Sequence, residues 1–166
     1  MLLLDTHAAI WFATENESLG RRSRDLAVAA LKDGRLSISA VSFWEIALLV
    51  AKGRLRAVTP PAELRPLLLD AGVVEFALTG DIALLSATLD LHGDPADRFI
   101  AATAIAHRAT LATADERLLE RAHESLRLAI GVGRDDVAPE HDVRPRERLR
   151  RPETRAVHGE RALELA

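Results

Sequence analysis

The sequence predicts an α/β fold with three layers, in which a central, mostly parallel sheet of four to five strands is flanked by helices on both faces. Two observations carry that expectation. Short apolar runs of strand length alternate with stretches of helical period, the pattern of a chain that passes repeatedly between a sheet and the helices covering it. The helical stretches also stop alike, at Lys32-Asp33-Gly34, Lys52-Gly53 and Asp70-Ala71-Gly72, where glycine can adopt the left-handed conformation that ends a helix. With 166 residues, 48% of them hydrophobic, there is apolar material for one core and too little length for two ordinary domains.

Taken in order, Leu2 to Leu4 reads as the first strand, continuous in apolar character as a strand buried on both faces must be. Leu26, Ala29 and Ala30 share one face of the second helix and are assigned to the core. Leu36 to Ser39 is the second strand. A helix starting after Pro60-Pro61, a proline placement that suits a first turn, carries Leu64, Leu67 and Leu68 on one face. Val73 to Leu78 and Thr110 to Thr113 are further strands. Leu126, Leu128 and Ile130 alternate with Arg127 and Ala129, the period of a half-buried edge strand, so the folded domain is expected to span residues 1–131. Residues 132–166 read as a poorly ordered Arg- and Pro-rich extension, with Arg146, Arg148, Arg150 and Arg151 as a basic cluster that is either solvated, the commoner case, or placed to touch RNA phosphates.

Composition excludes several function classes. Cysteine is absent, which removes disulfides, thiolate metal sites and a cysteine nucleophile, and fits a reducing, cytoplasmic setting. Met1-Leu2-Leu3-Leu4 runs straight into Asp5, giving neither a signal peptide nor a membrane span. There is no Gly-rich phosphate loop and no G-x-S-x-G elbow. A net charge of −3 argues against broad electrostatic binding of nucleic acid and leaves room only for local basic patches.

Four acidic residues fall where strands end or helices begin: Asp5, Glu45, Asp97 and Asp115. Each also has a structural explanation. Ser42-x-x-Glu45 and Thr113-x-x-Glu116 match helix capping boxes, Asp94 before Pro95 suits an N-cap, and Asp97 would favour a helix dipole. Topology adds weight to the functional reading, because the carboxyl ends of parallel strands and the starts of the following helices gather along one sheet edge. Asp97 precedes Ile100, Ala101 and Ala104 on an apolar stripe, and Glu45 precedes Leu48 and Leu49 with no basic residue between Ser37 and Ala51 to neutralise it. A divalent cation would satisfy such inward carboxylates, and oxygen donors without cysteine favour Mg²⁺ or Mn²⁺ over zinc. Metal-assisted hydrolysis of a phosphodiester is the chemistry this implies.

Thr6 and Thr113 are placed either to orient a water or metal-bound oxygen or to cap helices. His7 is the nearest histidine to the acidic set, as a first-turn helix residue with substrate contact open to it. Trp11, Phe12, Phe43 and Trp44 are either core or base-stacking groups. Arg98 is placed to reach a phosphate or to orient a carboxylate.

The blocks Leu3-Leu4-Asp5-Thr6-His7, Ile38 to Ile46, Asp94-Pro95-Ala96-Asp97-Arg98-Phe99-Ile100-Ala101 and Leu111-Ala112-Thr113-Ala114-Asp115 resemble those of the PIN-domain VapC toxins, from Met1 to about Glu120. The resemblance implies a PIN-like fold whose quartet, here Asp5, Glu45, Asp97 and Asp115, binds Mg²⁺ or Mn²⁺ and cleaves RNA. It also implies a homodimer and a small DNA-binding antitoxin that inserts a segment into the nuclease groove. Three other functions compete. A receiver-like phosphorelay module would want an acidic pair at the end of its first strand, where Asp5 stands alone. A non-catalytic PIN-like binding module fits less well with all four acidic positions filled. A PIN nuclease of RNA processing, outside any toxin system, differs only in lacking an antitoxin gene beside its own.

Overall fold

The computed structural model describes residues 1–57, 59–91, 94–115, 118, 129–131 and 163–165. The chain runs β1 (Leu2–Leu4), α1 (Thr6–Ala13), a single 3-10 turn (Glu17–Leu19), α2 (Arg21–Lys32), β2 (Leu36–Ser39), α3 (Ala40–Ala51), β3 (Leu55–Ala57), α4 (Pro61–Asp70), β4 (Val74–Phe76), α5 (Gly80–Thr88), α6 (Pro95–Ala106), β5 (Thr110–Thr113), β6 (Ala129–Gly131) and β7 (Leu163–Leu165). Five strands form one sheet in the order β4-β2-β1-β5-β6, and every pairing in it is parallel. The α/β expectation is met.

Because β1 is central, successive side chains must be apolar on opposite faces. Leu4 joins Leu36, Ile38 and Ala112 beneath Ala8 and Ala9 of α1 and Ala27 and Ala30 of α2. Leu3 and Leu111 face the other way, against Ile100, Ala101 and Ala104 of α6. A third cluster, Ile10, Ile46, Leu49, Leu55 and Leu64, ties α1, α3, β3 and α4 together. Alanine lets α6 approach the sheet closely, and the small hydroxyls of Ser39 and Thr103 meet there at 3.3 Å, both fully buried.

All three glycine stops terminate helices as expected; Gly34 and Gly53 follow α2 and α3 with φ of +64° and +68°, a conformation that favours glycine. Two helix faces differ from the sequence reading. In α2 the buried positions are Ala27 and Ala30, while Leu26 is 42% exposed and Ala29 is exposed; the small residues face the sheet because the helix packs close to it. In α4, Leu64 is buried and Leu67 is 56% exposed.

Strand Val73 to Leu78 is shorter than expected, at Val74–Phe76. The edge strand is present as Ala129–Gly131, pairing with β5, whereas Leu126 and Leu128 lie outside the described residues, as do Glu116 of the second capping box and Arg146 to Arg151. Of the C-terminal extension, Leu163–Leu165 is described: it pairs antiparallel with β3, a strand the sequence reading did not contain. Among the described residues no helix is long and apolar enough to cross a membrane.

Candidate active site

The sheet order places β1 between β2, which follows it closely in sequence, and β5, which follows late. Such a reversal of strand order opens a crevice outside the carboxyl ends of the strands. Asp5 follows β1, Asp115 follows β5, Glu45 lies in α3 after β2, and Asp97 lies in the first turn of α6. All four line one cleft of about 350 Å³, together with Thr6, His7, Trp44, Asp94 and, from the connection between α3 and β3, Lys52 and Arg54. The structure therefore brings together the whole acidic quartet expected from the sequence.

Hydroxyls hold the carboxylates in place. Asp5 is buried and caps α1, accepting from the Ala8 N–H at 2.6 Å; its other oxygen accepts from the Thr113 hydroxyl. Thr113 in turn accepts from the Asp115 N–H at 3.0 Å, so one buried side chain joins the ends of β1 and β5. Thr6 donates to Glu45 Oε2 at 2.6 Å, linking α1 to α3. Thr6 is not a helix cap, since Asp5 already takes that role. The Ser42-x-x-Glu45 capping box is likewise a misreading: Ser39 caps α3 by accepting from the Val41 N–H, and Ser42 lies inside the helix, fully buried and with no hydrogen-bond partner among the described residues. Asp94 does cap α6, accepting from the Ala96 N–H at 3.1 Å.

Electrostatics show what the cleft lacks. Burial raises the pKa of Asp5 against the lowering effect of Thr113, Ala8 and His7. Burial also raises Glu45, opposed by the Thr6 hydrogen bond and by His7. Asp97 is pushed up to about 6, first by burial and then by Glu45, Asp115, Asp94 and Asp5. A group disfavoured by four neighbouring carboxylates sits in negative potential that a bound cation would relieve. The donor set fits a hard ion, being carboxylates and hydroxyls with His7 as the one imidazole among the described residues lining the cleft. Among the described residues no three of these groups stand in a ready-made ligand cluster. The carboxylates share a cleft without forming a cage, which suits an ion that retains waters and takes oxygens from a substrate.

The remaining candidates divide. His7 is exposed in the first turn of α1, its ring 6.1 Å from that of Trp11. Trp11, Phe12 and Phe43 pack against the core, leaving Trp44, 50% exposed, as the aromatic lining the cleft. Among the described residues Arg98 is not part of the cleft lining and forms no ion pair with a carboxylate; its Nε donates to the Leu91 carbonyl at 2.7 Å. Lys52 and Arg54 were missed because Lys52-Gly53 reads in sequence as nothing more than a helix stop.

A five-stranded parallel sheet with an acidic cleft at its switch point defines a class, and a PIN-domain family model matches residues 2–124; the chain belongs to the PIN-domain family. Within it, the similarity is to VapC proteins: "Ribonuclease VapC22" of Mycobacterium tuberculosis is 32% identical over 124 residues, 74% of this chain and 92% of the relative. Among solved structures, VapBC2 from Rickettsia felis bound to a promoter DNA fragment superposes with a TM-score of 0.57 at 16% identity, covering 79% of this chain and 98% of that one. A toxin–antitoxin complex from Klebsiella pneumoniae gives a TM-score of 0.51 at 22% identity, covering 78% and 96%. These two likenesses establish the fold.

Proposed function

We propose that this protein is a Mg²⁺- or Mn²⁺-dependent endoribonuclease that acts in the cytoplasm as the toxin of a VapBC-type toxin–antitoxin pair. The observation that carries the reading is the convergence of Asp5, Glu45, Asp97 and Asp115 on one cleft; identity with a VapC ribonuclease supports the substrate class. Asp5, Glu45, Asp97 and Asp115 would hold the ion, which when bound supplies Lewis-acid activation of water and stabilisation of the leaving oxygen. Thr6 and Thr113 fix Glu45 and Asp5 in orientation, and Asp94 adds negative charge beside Asp97. Trp44 offers an exposed ring for a base, and His7 a donor at the cleft mouth. Residues 1–131 are the nuclease unit and 132–166 an extension to it; the assembly is a homodimer, by the family resemblance.

Cleavage of a panel of single-stranded RNAs is expected with Mg²⁺ or Mn²⁺ and is expected to stop when a chelator is added. Undiminished cleavage in chelator would remove the metal from the mechanism. Partner assignment has its own test. Expression of the wild-type protein alone is expected to slow bacterial growth, and co-expression of an antitoxin encoded beside it to restore growth. If soluble wild-type protein slows growth no more than Asp5→Asn does, the toxin role is lost and a nuclease of RNA processing is the better reading.

A further inference from the structure

We infer that Lys52 and Arg54 form a phosphate-binding rim that seats the strand flanking the scissile bond of a single-stranded RNA; this rests on the nuclease reading of the acidic cleft. Several arginines are engaged elsewhere: Arg35 with Asp33, Arg65 with Glu75, Arg24 with the Asn16 carbonyl and Arg98 with the Leu91 carbonyl. Lys52 and Arg54 are exposed and form no ion pair with any of the five carboxylates in the same cleft, within the described residues. They are therefore not counter-charges for the acidic floor. The cleft is divided into an anionic floor and a cationic wall, an arrangement that repels a polyanion from one part and attracts it to the other.

Helix α3 sets the spacing. Glu45, Leu48, Leu49 and Lys52 recur at helical period along the wall of the cleft, and seven residues of helix separate Glu45 from Lys52 by ~10 Å along the axis. That reach carries Lys52 past a phosphodiester held at the carboxylates and onto a neighbouring phosphate. Arg54 lies beyond the helix, immediately before β3, so a favourable helix dipole, which would account for a lysine at the end of α3, does not account for it. Trp44 lines the same wall at the Glu45 end, giving a stacking surface beside the floor and cations farther along, the two components of single-strand recognition.

The test compares Lys52→Gln, Arg54→Gln and the double variant with wild type and with Arg21→Gln, an exposed control outside the cleft. In cleavage assays the double variant should raise KM about tenfold with kcat within about twofold, as loss of sequence-independent phosphate contacts requires. In an Asp97→Asn background, which keeps the strand intact, fluorescence anisotropy with a fluorescein-labelled single-stranded RNA should show the slope of log K against log salt reduced by about 1.4 for two lost contacts. Lys52→Arg should restore KM. An unchanged KM and salt slope overturns the inference, as does a fall in kcat at constant KM. So does loss of antitoxin binding with RNA binding intact, which would give the rim to an acidic protein segment. If wild type cleaves no RNA but binds it with the expected slope loss in the variants, the nuclease reading fails while the rim stands; absence of both cleavage and binding removes the two together.

Discussion

Replacing Asp97 with asparagine is expected to reduce RNA cleavage by more than about a hundredfold and to leave the metal-free protein more stable than wild type. The two effects have one origin. Folding raises the pKa of Asp97 to about 6, above the ordinary aspartate value of about 3.9, so the folded state holds its proton more tightly than the unfolded chain. Stability contributed by this group is therefore full below the unfolded value, falls as pH rises between the two, and is lost above about 6. Asparagine removes the charge and flattens that dependence, with a gain near neutral pH of about 1 kcal/mol once solvent screening of a partly exposed carboxylate is discounted. Thermal melting of the metal-free proteins across this pH range, beside cleavage assays, checks both halves. A variant that loses activity and stability together would make Asp97 a structural residue.

Thr113→Val should have the next largest effect, although valine matches threonine in shape. The hydroxyl it removes is buried, donates to Asp5 and accepts from the Asp115 N–H. Its loss leaves a buried carboxylate short of a donor and a backbone N–H without that acceptor, a cost of about 1–3 kcal/mol. Asp5 and Asp115 also lose their common anchor, and cleavage is expected to drop about 10- to 100-fold, the scale seen when groups that orient metal ligands are removed. Thr113→Ser retains the hydroxyl and should recover most of both. Equal stability and activity in the valine variant would show that the link is incidental.

The acidic quartet was legible because strand ends are legible. Leu2 to Leu4 and Thr110 to Thr113 are apolar runs that stop abruptly, and the residues just beyond them, Asp5 and Asp115, must share an edge once the strands are parallel. Asp97 was legible from its place ahead of Ile100, Ala101 and Ala104. What periodicity could not supply was which of two plausible faces a helix buries. Leu26 is the larger side chain, yet Ala27 and Ala30 face the sheet, since close approach of α2 is decided by the sheet's own side chains. Capping motifs misled at Ser42 because Ser39 caps three residues earlier, and a sequence with two serines in range does not distinguish them. The pairing of Leu163–Leu165 with β3 has no local signature at all, being a contact between segments more than a hundred positions apart.

The hydrogen bond between Thr113 and Asp5 spans 108 positions, and β1, the strand that leads into Asp5, waits between an early partner and a late one. Closing a loop of that length is the step of greatest sequence separation in building the sheet's centre. During synthesis, when N-terminal segments emerge first, a growing chain carries Asp5 through more than a hundred further positions before Thr113 and Asp115 can complete the cleft. A product of translation that stops before β5 lacks Thr113 and Asp115, and so has an incomplete cleft.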